Sequence, residues 1–145
     1  MIDLDQWTDT DWLWASFAQM VQTFDRGGSY AATWFPDAPV RFMIGAQRSS
    51  MVCLAYEGHR RRRAVADKDV FFEAFCRAGI DYADNAERLG HSVPDVREPL
   101  VEVLDGLYNA EPWPKVTPSC LGRHPDAIAA EAEARAVLGV SHLGW

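Results

Sequence analysis

An α+β fold is predicted by three features of the sequence. Two apolar runs, VRFMI at 40–44 and MVCLAY at 51–56, are close enough in the chain to pair as neighbouring strands. Gly58-His59 fits a two-residue hairpin turn, and it leads into a third extended stretch at 60–66. Helical periodicity fills the chain before this region and most of the chain after it. The expected architecture is an N-terminal helix, a three-stranded antiparallel meander, then three helices packed mainly on one sheet face, in a single domain over 1–145.

The bulk properties agree with this. At 145 residues, 48% hydrophobic and 12% aromatic, the chain is of single-domain size and apolar enough to build a core. No apolar run approaches the roughly 20 residues that span a bilayer. The first segment, MIDLDQWTDTDWLW, is acidic where a signal peptide is basic, so a cytoplasmic location without membrane attachment is expected. Cys53 and Cys76 sit in apolar segments and Cys120 in a polar one; the three fit no disulfide framework.

The elements follow in order. Thr8 to Asp11 resembles a capping box, and Leu13, Phe17, Met20, Val21 and Phe24 recur at helical spacing until Gly27-Gly28. Trp7, Trp12 and Trp14 crowd the first turn with more aromatic surface than one stripe buries. Ser29 to Phe35 reads either as a short strand or as an irregular approach to the sheet, and Pro36 to Pro39 as a turn. In the first run Phe42 and Ile44 share a face, with Arg41 and Met43 on the other. The second run is apolar throughout, as a central strand covered on both sides would be. A strand carrying Arg60 to Arg63 belongs at an edge. Asp69 is the expected N-cap of a second helix reaching Leu89, with Phe71, Phe75, Ala78, Tyr82 and Leu89 on its main stripe and Phe72, Cys76 and Ala83 beside it. Gly79 inside that helix implies a close approach by another element. A third helix is expected over about 95–108, an extended strap over 111–118 with Trp113 tucked in, and a fourth helix from Pro125 to Gly139. The fourth has a thin apolar stripe, Ile128 and Leu138, so it packs lightly or is completed by another molecule.

The charge is unevenly spread. Residues 40–68 hold seven basic residues against two acids, while the rest holds seven against nineteen, for a net −7. A mostly acidic surface argues against general nucleic-acid binding, which needs a broad positive face. Arg60, Arg61, Arg62 and Arg63 are the most unusual local feature, because paired guanidinium groups suit phosphate or carboxylate recognition. As a solvated edge they need no ligand at all. Glu57 and His59 flank the hairpin glycine as an acid–imidazole pair, though a tight turn does not oblige them to meet. Cys120, His124 and His142 match no zinc spacing, and no nucleotide-binding, metalloprotease or hydrolase signature occurs.

No catalytic residues, metal or cofactor are therefore assigned, and a non-enzymatic role is expected. The leading expectation is a protein-binding module whose acidic helical surface engages a partner, with Trp12 and Trp14 as candidate contacts. In size and charge this is similar to small bacterial immunity or inhibitor proteins, which are often acidic because they cover basic toxin sites; the likeness is one of class, carried by no motif. The alternative is a small enzyme or ligand-binding domain holding an anionic, phosphate- or carboxylate-bearing ligand through Arg60–Arg63. A homodimer formed through the aromatic N-terminus or the terminal helix is a third arrangement.

Overall fold

The computed structural model describes residues 10–35, 38–48, 50–93, 96–108 and 125–144. They form α1 (Thr10–Asp25), β1 (Tyr30–Trp34), β2 (Arg41–Gln47), β3 (Met51–Glu57), β4 (Arg61–Asp67), α2 (Lys68–Arg88), α3 (Arg97–Tyr108) and α4 (Pro125–Leu138). The class is α+β, and the sheet is an open antiparallel meander in the order β1-β2-β3-β4. Thr8 and its cap, Trp7, Pro36 and Asp37 of the turn, the 111–118 strap with Trp113, Cys120 and His124 lie outside the described residues.

The meander has four strands where three were expected. The extra one is β1, whose YAATW sequence pairs in register with β2 from Tyr30 opposite Gly45 to Trp34 opposite Arg41. Its backbone groups account for the choice. The Phe35 amide donates to the Val40 carbonyl at 2.9 Å and the Ala46 amide to the Ser29 carbonyl at 2.8 Å, so the hairpin is closed at both ends. Gly27, in the left-handed region at φ 113°, ends α1 and turns the chain into this strand.

Helices cover both sheet faces, not mainly one. Ile44, Ala46 and Val52 point into a core shared with α1, α2 and α3, where Val21, Phe24, Phe72 and Leu100 are fully buried. Met43, Cys53 and Ala55 point the other way and are covered by Ala134, Val137 and Leu138 of α4, together with Leu143. Residues alternate between faces along a strand, so an apolar strand pair needs a cover on each side. The thin stripe of α4 suffices because β2 makes room for it. A Cβ built on Gly45 would lie 2.4 Å from Leu138 Cδ1 and 2.7 Å from Leu143 Cδ2, the space those side chains occupy. Only the C-terminal half of α4 is docked; residues 126–130 are exposed.

Two local expectations are corrected in α2. Its N-cap is Asp67, not Asp69: β4 stays paired through Asp67, and that carboxylate accepts from the Val70 amide at 3.1 Å. Asp69 sits in the first turn instead. The buried stripe runs Phe72, Cys76, Gly79, Ala83 and Ala86, while Phe71, Phe75 and Tyr82 flank it and Ala78 and Leu89 face solvent. The flank is half-buried, and Trp14 of α1 stacks on Tyr82 at 5.7 Å and meets Phe75 at 5.5 Å.

Gly79 lies where α1, α2 and α3 converge, as its mid-helix position implied. An added Cβ would fall 2.4 Å from Leu100 Cδ1 and 2.8 Å from Trp14 Cζ3. Helix propensity favours Gly79→Ala by about 1 kcal/mol. Overpacking opposes it by about 1–3 kcal/mol, and Leu100 is fully buried with nowhere to retreat. The expected net loss is roughly 1 kcal/mol, read as a lower urea midpoint; a raised midpoint would show that the helices part easily. Gly45→Val tests the other face. Burial raises the pKa of the Cys53 thiol, and that of Cys76 to about 12, so both should react slowly with thiol reagents in the native protein. In a Cys120→Ser background, displacing α4 by Gly45→Val should speed modification of Cys53 and leave Cys76 protected; equal rates at both would contradict the two-sided packing.

Candidate functional site

The β3–β4 hairpin decides what the arginines can do. Its loop has three residues, Gly58, His59 and Arg60, in place of the expected two, so Glu57 pairs with Arg61. Gly58 is not among the glycines with positive φ, and the two-residue turn with glycine first needs that conformation. A one-residue slip of register moves every side chain of the strand to the opposite face. Arg61 and Arg63 thus lie on the α4 side with Glu57, and Arg62 lies on the other with Tyr56.

On the α4 side the charges close upon one another. Arg41 of β2, opposite Glu57 in the ladder, donates to Glu57 Oε2 from Nε at 3.1 Å and from Nη2 at 2.5 Å. Its Nη1 reaches Glu133 Oε1 of α4 at 2.9 Å, and its guanidinium lies 5.4 Å from the centre of the Trp34 ring. Glu57 Oε1 also accepts from Arg61 Nη2. Two guanidinium groups and two carboxylates make this cluster neutral, and Arg41 is only 14% exposed. Burial works against the charge on Arg41, but the hydrogen bonds to Glu57 and Glu133 outweigh it and raise its pKa. The hydrogen bond from Arg41, then that from Arg61, holds the Glu57 carboxyl below its ordinary range.

Arg63 is also engaged. Its Nε donates to the Val137 carbonyl at 2.8 Å and its Nη2 to the Ala136 carbonyl at 2.9 Å, satisfying the open C-terminal end of α4. Gly139, at φ 74°, passes directly over that guanidinium, and an added Cβ would stand 2.8 Å from Arg63 Cζ.

The expected site residues are therefore divided. Glu57 and Arg61 are joined, Arg63 caps a helix, and Arg60 and Arg62 are exposed and form no ion pair among the described residues. His59 is exposed in the loop and makes no hydrogen bond with Glu57, whose two oxygens are taken by arginines. Trp14 is packed among Phe17, Phe75 and Tyr82, whereas Trp12 is 60% exposed. Arg41, Trp34 and Glu133 belong to the cluster without having been singled out. The cross-strand register would have found Arg41; Glu133 comes from a helix 92 residues away in the chain. Lys68 was also missed: it is 5% exposed, burial lowers its ammonium pKa, and Asp69 and Asp25 partly offset this.

A second charged surface lies on the outer side of α2 and α3. Asp69, Glu73, Asp81, Asp84, Glu87, Glu98, Glu102 and Asp105 are exposed there and outnumber Lys68, Arg77, Arg88 and Arg97. Several are held in place. Arg97 bonds both Asp84 and Glu87, Arg77 and the Tyr108 hydroxyl both bond Glu73, and Arg26 of the α1 C-terminal turn holds Glu102 at 2.9 Å. Val70 and Leu89, at opposite ends of α2, and Val101 and Tyr108 of α3 are also exposed.

The chain matches no family model, no curated protein and no solved structure. Among the described residues no helix is long and apolar enough to cross a membrane, and no group of metal-ligating side chains is assembled.

The depressed pKa of Glu57 makes the cluster a pH-dependent contribution to stability. That contribution is complete above the ordinary value of 4.5 and is lost as pH falls through the lower folded value. Asp25 runs the opposite way: burial raises it above 3.8, so its contribution is complete below 3.8 and lost as pH rises through the folded value. Comparing Glu57→Gln with the parent isolates Glu57. The variant should be less stable by roughly 1 kcal/mol at neutral pH, allowing for solvent screening, and the gap should close in acid. Denaturant titrations from pH 7 to pH 2 measure it, and a gap that stays constant would remove the cluster from the acid response.

Proposed function

We propose that the protein is a protein-binding module of the immunity or inhibitor kind, which engages a basic partner through the outer face of α2 and α3. The observation that carries this reading is the excess of exposed carboxylates on α2 and α3, with Val70, Val101 and Tyr108 exposed on the same two helices. Apolar side chains supply the buried centre of a contact, and a ring of one charge sign steers a partner of the other. Asp81 and Glu98 favour it further, since both are exposed and their charge is not met by an ion pair among the described residues. A small anionic ligand held by Arg60–Arg63 is the weaker reading, because Arg61 and Arg63 are committed within the fold.

Asp81 and Glu98 are exposed and form no ion pair among the described residues, so reversing them leaves the internal network intact. Affinity capture from the native host with the parent chain should recover a stoichiometric partner of basic isoelectric point. Asp81→Lys with Glu98→Lys, and separately Tyr108→Ala, should each weaken that complex by about tenfold, with binding falling as salt is raised. Recovery of no partner, or of one indifferent to both variants, would overturn the reading.

A further inference from the structure

Independently of the helical face, we propose that the outer edge of β4 is a docking strand for an extended acidic segment of another protein, whose alternate carboxylates pair with Arg60 and Arg62.

Among the described residues β4 ends the sheet order and pairs with β3 alone. The ladder runs unbroken from Arg61 opposite Glu57 to Asp67 opposite Met51, with no bulge and no proline. Each strand residue presents its amide and carbonyl to one side, so the half not used by β3 forms a second row along the outer edge. Every β4 residue except Ala66 is exposed, and no described element covers that row. An edge of this length is usually blunted; among the described residues the devices that do so are charges.

The charges narrow the occupant. Arg61 and Arg63 are turned to Glu57 and to the end of α4, which leaves Arg62 on the opposite face, preceded by Arg60 in the loop. Arg62 meets one acid of a paired strand whose side chains alternate between faces, and Arg60, two residues earlier in the loop, carries positive charge beyond the end of the ladder, toward the next acid but one. A second copy of the chain fits less well through its own described edges: an antiparallel pair of β4 strands centred on Ala64 would set Arg61 opposite Asp67 but leave Arg62 opposite Ala66 and Arg60 opposite Lys68, and β1 (YAATW) brings no acid. A nucleic acid could satisfy the guanidinium groups, but its phosphates only accept hydrogen bonds and cannot bond the carbonyls of the row. A peptide backbone matches both halves.

The probe is a short fluorescein-labelled peptide of alternating glutamate and valine, followed by anisotropy at low salt. Saturable binding is expected, and it should weaken at least tenfold in the Arg60→Glu, Arg62→Glu double variant, which keeps the pairs of Arg61 and Arg63. N-methylating the peptide on alternate amides should abolish binding for one set of amides and spare it for the other, because only one set faces β4. Amide hydrogen exchange should slow within residues 61–67 and not across the α2–α3 face. Absence of saturable binding, indifference to N-methylation, protection outside β4, or displacement by poly(U) at equal charge would each overturn the proposal; circular dichroism of the double variant confirms that loss of binding is not loss of fold.

Discussion

The β2–β3 strand pair is apolar on both faces, and the rest of the molecule is arranged to cover it twice. Ile44, Ala46 and Val52 on one side and Met43, Cys53 and Ala55 on the other are all nearly inaccessible. Leaving either set in water would forfeit about 25 cal/mol for each Å² of apolar surface exposed, which a domain of this size cannot spare. Three helices meet the first requirement with large side chains. The second is met by an alanine-rich helix, a glycine in the strand beneath it and two leucines that fill the gap. The two solutions differ because the first face holds the aromatic bulk and the second only needs a close-fitting cap.

Covering both faces also sets the electrostatics. With its neighbours inside, β4 is left to carry the positive charge at the rim, and the three-residue loop before it sorts the arginines by face. Those on the α4 side become structural: one joins Arg41 and Glu133 through Glu57, and another closes the end of α4. Those on the remaining side are left to solvent. The net −7 is correspondingly concentrated on the helices, where arginines fix several of the acids without neutralising the surface. The molecule therefore presents two faces of opposite sign, each bearing exposed groups that the fold does not consume.

Much of this was legible in the sequence, and the exceptions share a cause. The helices, the central strand apolar on both sides, the edge position of the arginines and the close approach at Gly79 follow from periodicity and residue type. That apolar strand already required helices on both faces, yet the stripe of α4 looked too thin to supply one; its fit depends on Gly45, a residue remote in the chain. β1 is short and alanine-rich, and pairing with β2 decides it more than its own propensity. The loop at Gly58 differed by one residue, which was enough to exchange the roles of neighbouring arginines. The cluster at Arg41 needed that register and a contact with α4, so no local pattern could display it.

The position of α4 bears on how the molecule is assembled. The strands and α2 follow one another through short connections, so their contacts close small loops and can form early. α4 instead touches strands more than 70 residues before it, as the bonds from Arg63 to Val137 and from Arg41 to Glu133 show. It behaves as a ligand tethered to its own receptor, with an affinity set by the local concentration the chain imposes. Such an element is expected to dock late and leave first, and its departure would uncover an apolar sheet face and free Arg63 and Glu133 together. On that expectation, folding of the core and closure of the second face would be separable events in one small domain.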